Sequence, residues 1–386
     1  MRMRTKLVLV LAMSVPAAGA EAQDLLRPAP GPPLEVGRGS GELFLVDLDG
    51  DGRIDLVSKH LLERRVAVHR GGGNGTFSAN ARSLTLPFEA GAIALGDVDR
   101  DGLLDVGIAS RDSAAEYVQI ARGTPTGFGD PMPRIRTHAA AATWKPIIRL
   151  VDLDRDGALD IVVGNGRRAS VEILLGDGSG GFALQPGVSL TGGGARHEFE
   201  LGDIDGDRTL DLVDAGGSES DDGFVRAYSG NGRCGFAVRG DDAVALPAAP
   251  RATTLADIDR DGDLDVLLAH LDPLVSVLLN DGAGRFRAMN GSPFTLPGPA
   301  FNLAAADMNG DGRPDLVAAT VESVTVLLAI GRGYMPAPAS PYPAGPGAYR
   351  IVVGDIDADG HNDVIASSFE GSAVRILLGN PEAHGR

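Results

Sequence analysis

An acidic segment recurs seven times along the chain, at an interval of about 50 residues. The copies read DLDGDGRID, DVDRDGLLD, DLDRDGALD, DIDGDRTLD, DIDRDGDLD, DMNGDGRPD and DIDADGHND, and they start at Asp47, Asp97, Asp152, Asp203, Asp257, Asp307 and Asp355. We call these segments loops one to seven and count the positions of each from its first aspartate. A fixed repeat of this length is typical of solenoids and propellers, in which each unit packs on the next.

Each unit places the same pattern around its acidic loop. An alternating segment such as AIALGDVD leads into the loop, a β-rich run such as LDIVVG follows it, and a third run such as VEILLGD ends in a Gly-rich turn. An extended segment with a proline completes the unit. Such alternation between Gly and Asp turns is typical of strands joined by hairpins. We therefore expect an all-β chain forming a single seven-bladed propeller of four-stranded antiparallel blades over residues 24–386.

The last unit, VRILLGNPEAHGR, lacks the fourth strand that the other units have. The segment LLRPAPGPPLEV, near the start of the chain, places Leu26 where unit five has Phe286. We expect this segment to supply the missing outer strand of blade seven, which closes the ring and leaves no open sheet edge.

Residues 1–20 have the form of a secretory signal peptide. Basic residues open the segment, an apolar stretch from Leu7 to Met13 follows, and Ala18-Gly19-Ala20 gives a small-residue cleavage pattern. The apolar stretch is much shorter than the roughly 20 residues of a membrane-spanning helix. We expect a secreted or periplasmic protein with no membrane span.

Composition and motifs exclude several classes of function. The formal net charge of −17 argues against a nucleic-acid partner, which requires clustered positive charge. Cys234 is the only cysteine, so no intramolecular disulfide forms, and it is best explained as a small residue in a turn. The sequence has no nucleophile elbow, no Walker loop and no Cys/His cluster, and we identify no catalytic residue.

The acidic loops have the donor set of a calcium site. Positions 1, 3, 5 and 9 supply carboxylates, position 7 can supply a backbone carbonyl, and glycine at position 6 permits the turn. Hard oxygen donors in a flexible loop suit Ca²⁺ better than Mg²⁺, and zinc or copper would need Cys or His. The loop is not an EF-hand, because no Glu follows at position 12 and the flanks are strands. Asp and Gly are also good turn formers, which is the alternative explanation of a single loop.

We predict up to seven Ca²⁺ ions and expect loops four and six to be the weakest sites, because Arg208 replaces glycine in one and Asn309 replaces aspartate in the other. The predicted ligand positions are Asp47, Asp49, Asp51, Arg53 and Asp55; Asp97, Asp99, Asp101, Leu103 and Asp105; Asp152, Asp154, Asp156, Ala158 and Asp160; Asp203, Asp205, Asp207, Thr209 and Asp211; Asp257, Asp259, Asp261, Asp263 and Asp265; Asp307, Asn309, Asp311, Arg313 and Asp315; Asp355, Asp357, Asp359, His361 and Asp363.

The seven loops and the Gly-Phe turns, such as the one at Phe286, resemble FG-GAP/VCBS repeats, the family that includes the seven-bladed propeller of integrin α subunits. The resemblance covers essentially the whole mature chain, although unit six has Tyr334 in place of the Phe. It implies calcium in the acidic loops on one face of the propeller. It also implies that partners bind the opposite face, but it does not identify an integrin-like partner.

Basic residues collect on the loops that we expect on that opposite face. They suit an anionic glycan or another carboxylate-bearing partner, but the simpler explanation is that they are solvated loop charges that keep the chain soluble. Trp144 could contact a ligand or anchor its loop on a neighbouring blade. The candidate ligand-binding residues are Lys59, His60, Arg65, Arg111, Trp144, Lys145, Arg168, His197 and Arg251.

Two classes of function remain open. One is a monomeric calcium-binding module that recognises an extracellular glycan or protein. The other is a polysaccharide lyase or hydrolase at the mouth of the central channel, with His60, His138, His197 and His270 as the candidates for acid–base chemistry. Fold alone does not choose between them.

Overall fold

A computed structural model of the protein describes residues 24–111, 117–137, 146–165, 170–185, 188–189, 196–217, 223–240 and 243–384. The predicted signal peptide, residues 1–20, lies outside these ranges. Within them the chain is built from strands and one short 3-10 helix, Pro381–His384. None of the described helical residues forms a helix long and apolar enough to cross a membrane.

Two short strands near the N-terminus precede the seven sheets, and each sheet is one blade. The two leading strands are β1 (Leu26–Pro28) and β2 (Leu34–Glu35). Blade 1 has β3 (Ser40–Val46), β4 (Asp55–His60), β5 (Arg65–His69) and β6 (Arg82–Thr85). Blade 2 has β7 (Ala90–Gly96), β8 (Asp105–Ser110), β9 (Tyr117–Thr124), β10 (Gly127–Pro131) and β11 (Ile135–Arg136). Blade 3 has β12 (Pro146–Val151), β13 (Asp160–Asn165), β14 (Ser170–Gly176), β15 (Phe182–Leu184) and β16 (Val188–Ser189).

The remaining four blades repeat this plan. Blade 4 has β17 (Arg196–Gly202), β18 (Asp211–Gly217), β19 (Gly223–Gly230), β20 (Phe236–Val238) and β21 (Val244–Leu246). Blade 5 has β22 (Pro250–Ala256), β23 (Asp265–His270), β24 (Leu274–Asn280), β25 (Phe286–Ala288) and β26 (Phe294–Thr295). Blade 6 has β27 (Ala300–Ala306), β28 (Asp315–Thr320), β29 (Ser323–Ile330), β30 (Gly333–Pro336) and β31 (Tyr342–Pro343). Blade 7 has β32 (Ala348–Gly354), β33 (Asp363–Ser368) and β34 (Ala373–Gly379).

The strand order confirms the predicted all-β propeller. In each blade the first strand pairs with the second and the second with the third, all antiparallel. The fourth position differs in detail from a single strand, because in blades 2 to 6 it is two short pieces that both pair with the third strand. The prolines and glycines of this segment interrupt the ladder, as expected for an outer edge.

The N-terminal strands close the ring in the predicted way. Leu26 of β1 pairs with Gly379 of β34, and Leu34 of β2 pairs with Val374 of the same strand. The two leading strands therefore occupy the outer position of blade 7. Strand β34 is covered by chain from the opposite terminus, which removes an exposed sheet edge.

Seven apolar clusters lie between successive blades among the described residues. The cluster between blades 1 and 2, for example, contains Val57 and Ile108, and the cluster between blades 7 and 1 contains Ile365 and Leu56. These side chains are almost fully buried, and each contributes roughly 1.5–3 kcal/mol relative to exposure. Since every cluster needs two blades, the propeller is stabilised chiefly by contacts between neighbours.

The topology defines two faces and a channel. The acidic loops join first to second strands on one face, which we call the loop face. The starts of the first strands and the ends of the second strands lie on the other, which we call the opposite face. First strands from all seven blades line a central cavity of about 370 Å³.

Candidate metal sites and an opposite-face pocket

Each acidic loop is closed by backbone-to-carboxylate hydrogen bonds. The position 1 aspartate accepts from the N–H of position 6 in all seven loops, at 2.7 to 3.1 Å. The position 5 aspartate accepts from the N–H of position 7, at 2.7 to 3.0 Å. These contacts fold the chain so that the acids face one another, even though their charges repel.

Two positions in each loop are left-handed. Position 6 has positive φ in every loop, including Arg208 at +69°, so the residue that replaces glycine in loop four adopts an unfavourable conformation. Position 4 has positive φ as well, for example +60° at Arg100 and +66° at Arg260. Sequence reasoning missed position 4 because glycine fills it in only three loops, at Gly50, Gly206 and Gly310.

The position 9 aspartates are buried and have a structural role. One oxygen accepts the N–H of position 2 of the same loop, at 2.8 to 3.3 Å. The other accepts an N–H at the end of the third strand, at 2.6 to 2.9 Å. Each of these carboxylates thus ties its acidic loop to the third strand of its blade.

The acids form clusters that fit a hard cation. In loops one, three, four and five, carboxylate oxygens from positions 1, 3 and 9 lie within 4.8 Å of one another, and in loop two positions 1, 3 and 5 do so. One oxygen each of Asp99, Asp152 and Asp257 is buried without a hydrogen-bond partner among the described residues. A buried unpaired oxygen is costly, and a bound cation would satisfy it.

Burial and mutual repulsion also shift the pKa values of the acids. Desolvation, followed by the neighbouring charge of Asp261, raises the pKa of Asp259. Desolvation raises the pKa of Asp265 to about 6 and that of Asp363 to about 7, despite their backbone donors. Both effects disfavour the charged loops in the absence of a cation, so the donor set fits a hard cation held by oxygen atoms.

Arginine side chains pair with position 3 in three of the loops. Arg70 lies 3.0 Å from Asp49, Arg122 lies 3.1 Å from Asp99, and Arg239 lies 2.6 Å from Asp205. In loop six Arg313 pairs with Asp311 at position 5, at 2.6 Å. Loops five and seven have no such arginine among the described residues. Arg313 belongs to loop six itself, whereas Arg70, Arg122 and Arg239 lie outside the loops, at or after the third strand, so that spacing within the loops gives no sign of their pairs.

Lys59 and His60, two of the predicted ligand-binding residues, are buried at the end of β4. Lys59 pairs with Glu42 at 3.2 Å and donates to the carbonyl of Gly91, and burial lowers its pKa. His60 bonds Ser58 at 2.8 Å, and burial, then the charge of Arg65, lowers its pKa to about 4. Neither side chain offers surface to a large partner.

Other predicted residues have internal contacts. His197 is buried and its Nδ1 lies 2.9 Å from Asp214, while His270 is buried and bonds Ser276 at 2.7 Å. Arg65 pairs with Glu63 at 2.7 Å. Burial of both histidines removes them from contact with a substrate. Four predicted residues lie outside the described part of the chain: His138, Trp144, Lys145 and Arg168.

The structure brings Arg111, together with Lys59, to a pocket of about 430 Å³ on the opposite face. The pocket lies beside the channel mouth and is formed by blades 1, 2, 6 and 7. Phe301, Tyr349 and Phe369 form its aromatic wall, with ring centroids 5.6 Å apart in each successive pair. Arg251 lies outside the pocket lining but stacks on Phe301, at 4.4 Å from the ring centroid.

One structural position explains where the pocket forms. The sixth residue before each acidic loop is the first or second residue of the first strand of its blade, at the opposite face; these residues are Gly41, Gly91, Pro146, His197, Arg251, Phe301 and Tyr349. The two neighbouring glycines leave a hollow, and the two neighbouring aromatic residues wall it. This pattern was present in the sequence, but it becomes visible only when the seven units are aligned on their loops.

The fold and the loops together define a seven-bladed propeller with repeated carboxylate clusters. The family model of the FG-GAP-like repeat matches residues 47–108, 152–213, 257–318 and 307–366, which together are more than half of the chain. The chain belongs to the FG-GAP-like repeat family, as its sequence resemblance indicated.

Solved structures show a similar fold. The chain is similar to BBS1N in a crystal structure of BBS1N in complex with ARL6DN, soaked with lead, at a TM-score of 0.60 and 14% identity over 93% of this chain and 98% of that one. The same complex soaked with mercury matches at a TM-score of 0.60 and 16% identity, with the same coverage. No curated protein matches the chain. At these identities the likeness concerns the fold.

Proposed function

We propose that the chain is an exported calcium-stabilised propeller that binds an extracellular glycan or protein through its opposite face. The observation that carries the proposal is the repeated cluster of carboxylates around the loop face, in which three loops have a buried oxygen without a hydrogen-bond partner among the described residues. Calcium would be held by aspartates 1, 3 and 5 of a loop and by the carbonyl of position 7, with position 9 contributing its remaining lone pairs.

Charge supports the calcium part of the proposal. The formal net charge is −17, and seven divalent cations would neutralise most of it. Without cations, the like charges of each loop destabilise the compact state. Calcium would add stability and rigidity to the scaffold, so that the loops of the opposite face keep a fixed geometry for a ligand.

The binding part of the proposal rests on the opposite face. It has a pocket with an aromatic wall and charged groups, which is the usual character of ligand sites. The alternative of a lyase or hydrolase loses its three described histidine candidates, because His60, His197 and His270 are buried. Export is proposed from the pattern of residues 1–20 and is tested by N-terminal sequencing of the protein recovered outside the cytoplasm.

The decisive experiment compares calcium-loaded protein with EDTA-treated protein. One well-occupied site on a ligand-binding folded state adds about 3–4 kcal/mol, which for a chain of this length shifts the melting temperature by roughly 5 °C. With several sites filled, thermal unfolding should shift upward by about 10 °C or more on adding Ca²⁺ and by less on adding Mg²⁺. Elemental analysis after gel filtration should find several calcium ions per chain. An unchanged melting temperature together with a metal-free protein would contradict the proposal.

Ligand binding is tested with the same two preparations on an array of acidic glycans, neutral glycans and matrix proteins. We expect retention on one class of ligand in calcium and its loss in EDTA. If retention is unchanged in EDTA, ligand binding does not depend on calcium. If the ligand on the array is shortened, the result supports a lyase or hydrolase.

A further inference from the structure

The pocket on the opposite face combines aromatic rings with a cation that has no anionic partner in the described part of the chain. Tyr349 and Phe301 are partly exposed, and Phe369 at the rim is 36% exposed. Arg350 lines both this pocket and the channel. Its guanidinium lies 5.3 Å from the ring centroid of Tyr349, so the positive charge and the rings face the same space.

Arg350 differs from Lys59 and Arg149, two nearby cations that already have an acidic partner. Lys59 is already paired with Glu42, and Arg149 in the channel is paired with Glu200 at 2.6 Å. The described residues contain no salt-bridge partner for Arg350, and its Nε is buried without a hydrogen bond among them. The residue as a whole is half-buried, and its terminal N–H groups are not among the buried atoms and make no hydrogen bond among the described residues. Such a guanidinium end can receive a planar, bidentate anion such as a carboxylate.

We infer that this pocket binds one carboxylate-bearing sugar residue, with the sugar ring against the aromatic wall and the carboxylate on Arg350. The inference rests on the proposed binding function and names the ligand class for it. A sugar ring presents a face of C–H groups that packs on an aromatic ring, while its hydroxyl groups stay hydrogen-bonded to water or to the rim.

Charge in the pocket selects a singly charged group. Glu42 and Glu370 also line the pocket, so a phosphate with close to two negative charges would meet more repulsion than a carboxylate. An apolar peptide side chain would cover the rings and leave Arg350 buried without a partner, which is unfavourable. The volume of about 430 Å³ lies within the usual range for a small-ligand site and limits the bound part to one or two rings.

The first test uses the unmodified protein with calcium and two matched ligands. Isothermal titration compares tetragalacturonate with its fully methyl-esterified form, which keeps the rings and removes the negative charge. We expect the ester to bind at least tenfold more weakly. Equal binding of the two ligands, or no binding of the charged one, overturns the inference.

The second test locates the site with four variants. Arg350→Met keeps the bulk of the side chain without its charge and should weaken tetragalacturonate binding at least tenfold, and Phe369→Ala should weaken it severalfold. The controls are Arg64→Met and Leu62→Ala, two exposed changes outside the pocket lining. Unchanged affinity in both pocket variants overturns the inference, even if the protein binds uronates elsewhere.

The outcomes also separate this inference from the function on which it rests. If the array identifies a calcium-dependent protein ligand and both pocket variants still bind it, the sugar site is wrong and the binding module stands. If calcium neither binds nor stabilises the protein, the proposed function fails. The titration of the two ligands still shows whether the pocket binds a carboxylate-bearing sugar.

Discussion

Arg208 adopts a left-handed conformation at a loop position where the other six units have glycine. The Cβ clash of such a residue costs roughly 1–2 kcal/mol, and the greater freedom of glycine in the unfolded chain returns part of this. We expect Arg208→Gly to raise the free energy of unfolding by about 0.5–1 kcal/mol in urea denaturation with calcium. The control is Arg53→Gly, at position 7 of loop one. No gain over that control would mean that the loop relaxes around Arg208.

His60 should make the protein sensitive to acid. The folded-state pKa of about 4 lies below the usual 6.5, so the unfolded chain binds a proton first as the pH falls. The stability due to neutral His60 is therefore complete above pH 6.5 and is lost between pH 6.5 and 4. At pH 5 the loss is on the order of 2 kcal/mol relative to pH 7.5. Urea denaturation of wild type and His60→Gln at both values should show a smaller loss in the variant, and equal losses would contradict the assignment.

At the scale of the element, the acidic loop is held to its blade by the position 9 aspartate. In loop five, Asp265 accepts from Ile258 at 2.9 Å and from Asn280 at 2.8 Å. Asp265→Ala leaves two buried N–H groups unpaired, which costs about 1–3 kcal/mol for each. We expect a loss of about 3 kcal/mol that persists in EDTA. Asp261→Asn, at exposed position 5, should reduce stability only when calcium is present. If Asp265→Ala lowers stability in calcium but not in EDTA, Asp265 acts only as a metal ligand and does not hold the loop to the third strand.

The arginine pairs predict an order of calcium affinity among the loops. Arg239 already neutralises Asp205, whereas Asp259 has no arginine partner among the described residues. Asp259→Asn should therefore reduce the number of tightly bound calcium ions by one, while Asp205→Asn should change only a weak site. Calcium titration calorimetry on the two variants and the wild type measures this. Identical effects of the two substitutions would show that Arg239 moves aside when calcium binds.

Some structural features of the units could be predicted from the sequence and others could not. The acidic loops and strands could be predicted because spacing and alternation repeat seven times, and the outer strand was recognised from the place of Leu26. Burial at the strand ends could not be predicted. Lys59 and His60 are residue types typical of a surface loop, and they are covered only because neighbouring blades pack over them. The aromatic wall joins Phe301 to Tyr349 across two blades, and such contacts depend on the ring geometry.

At the scale of the whole molecule, stability is shared among the interfaces between blades. The apolar cluster between blades 6 and 7 includes Leu26, which is 2% exposed and belongs to the leading strand. The leading strands thus contribute apolar contacts as well as strand pairing. Without them blade 7 lacks its outer strand and the cluster between blades 6 and 7 lacks Leu26, which weakens the closure of the ring. If the ring then opens, the blades at its two ends have only one neighbour each.

Removing the leading strands should therefore affect both cooperativity and association. A chain starting at Gly37 exposes the edge of β34, whereas a chain starting at Asp24 keeps the closure and serves as the control. We expect the shorter chain to unfold over a broader range of urea with a lower midpoint, because the ends of the arc fray before its centre. The unpaired edge should also recruit a second copy, so light scattering should detect dimers or larger species. A monomeric shorter chain with the same sharp transition would show that the seven blades hold together without strand closure, and that the contacts between blades 7 and 1 are sufficient on their own.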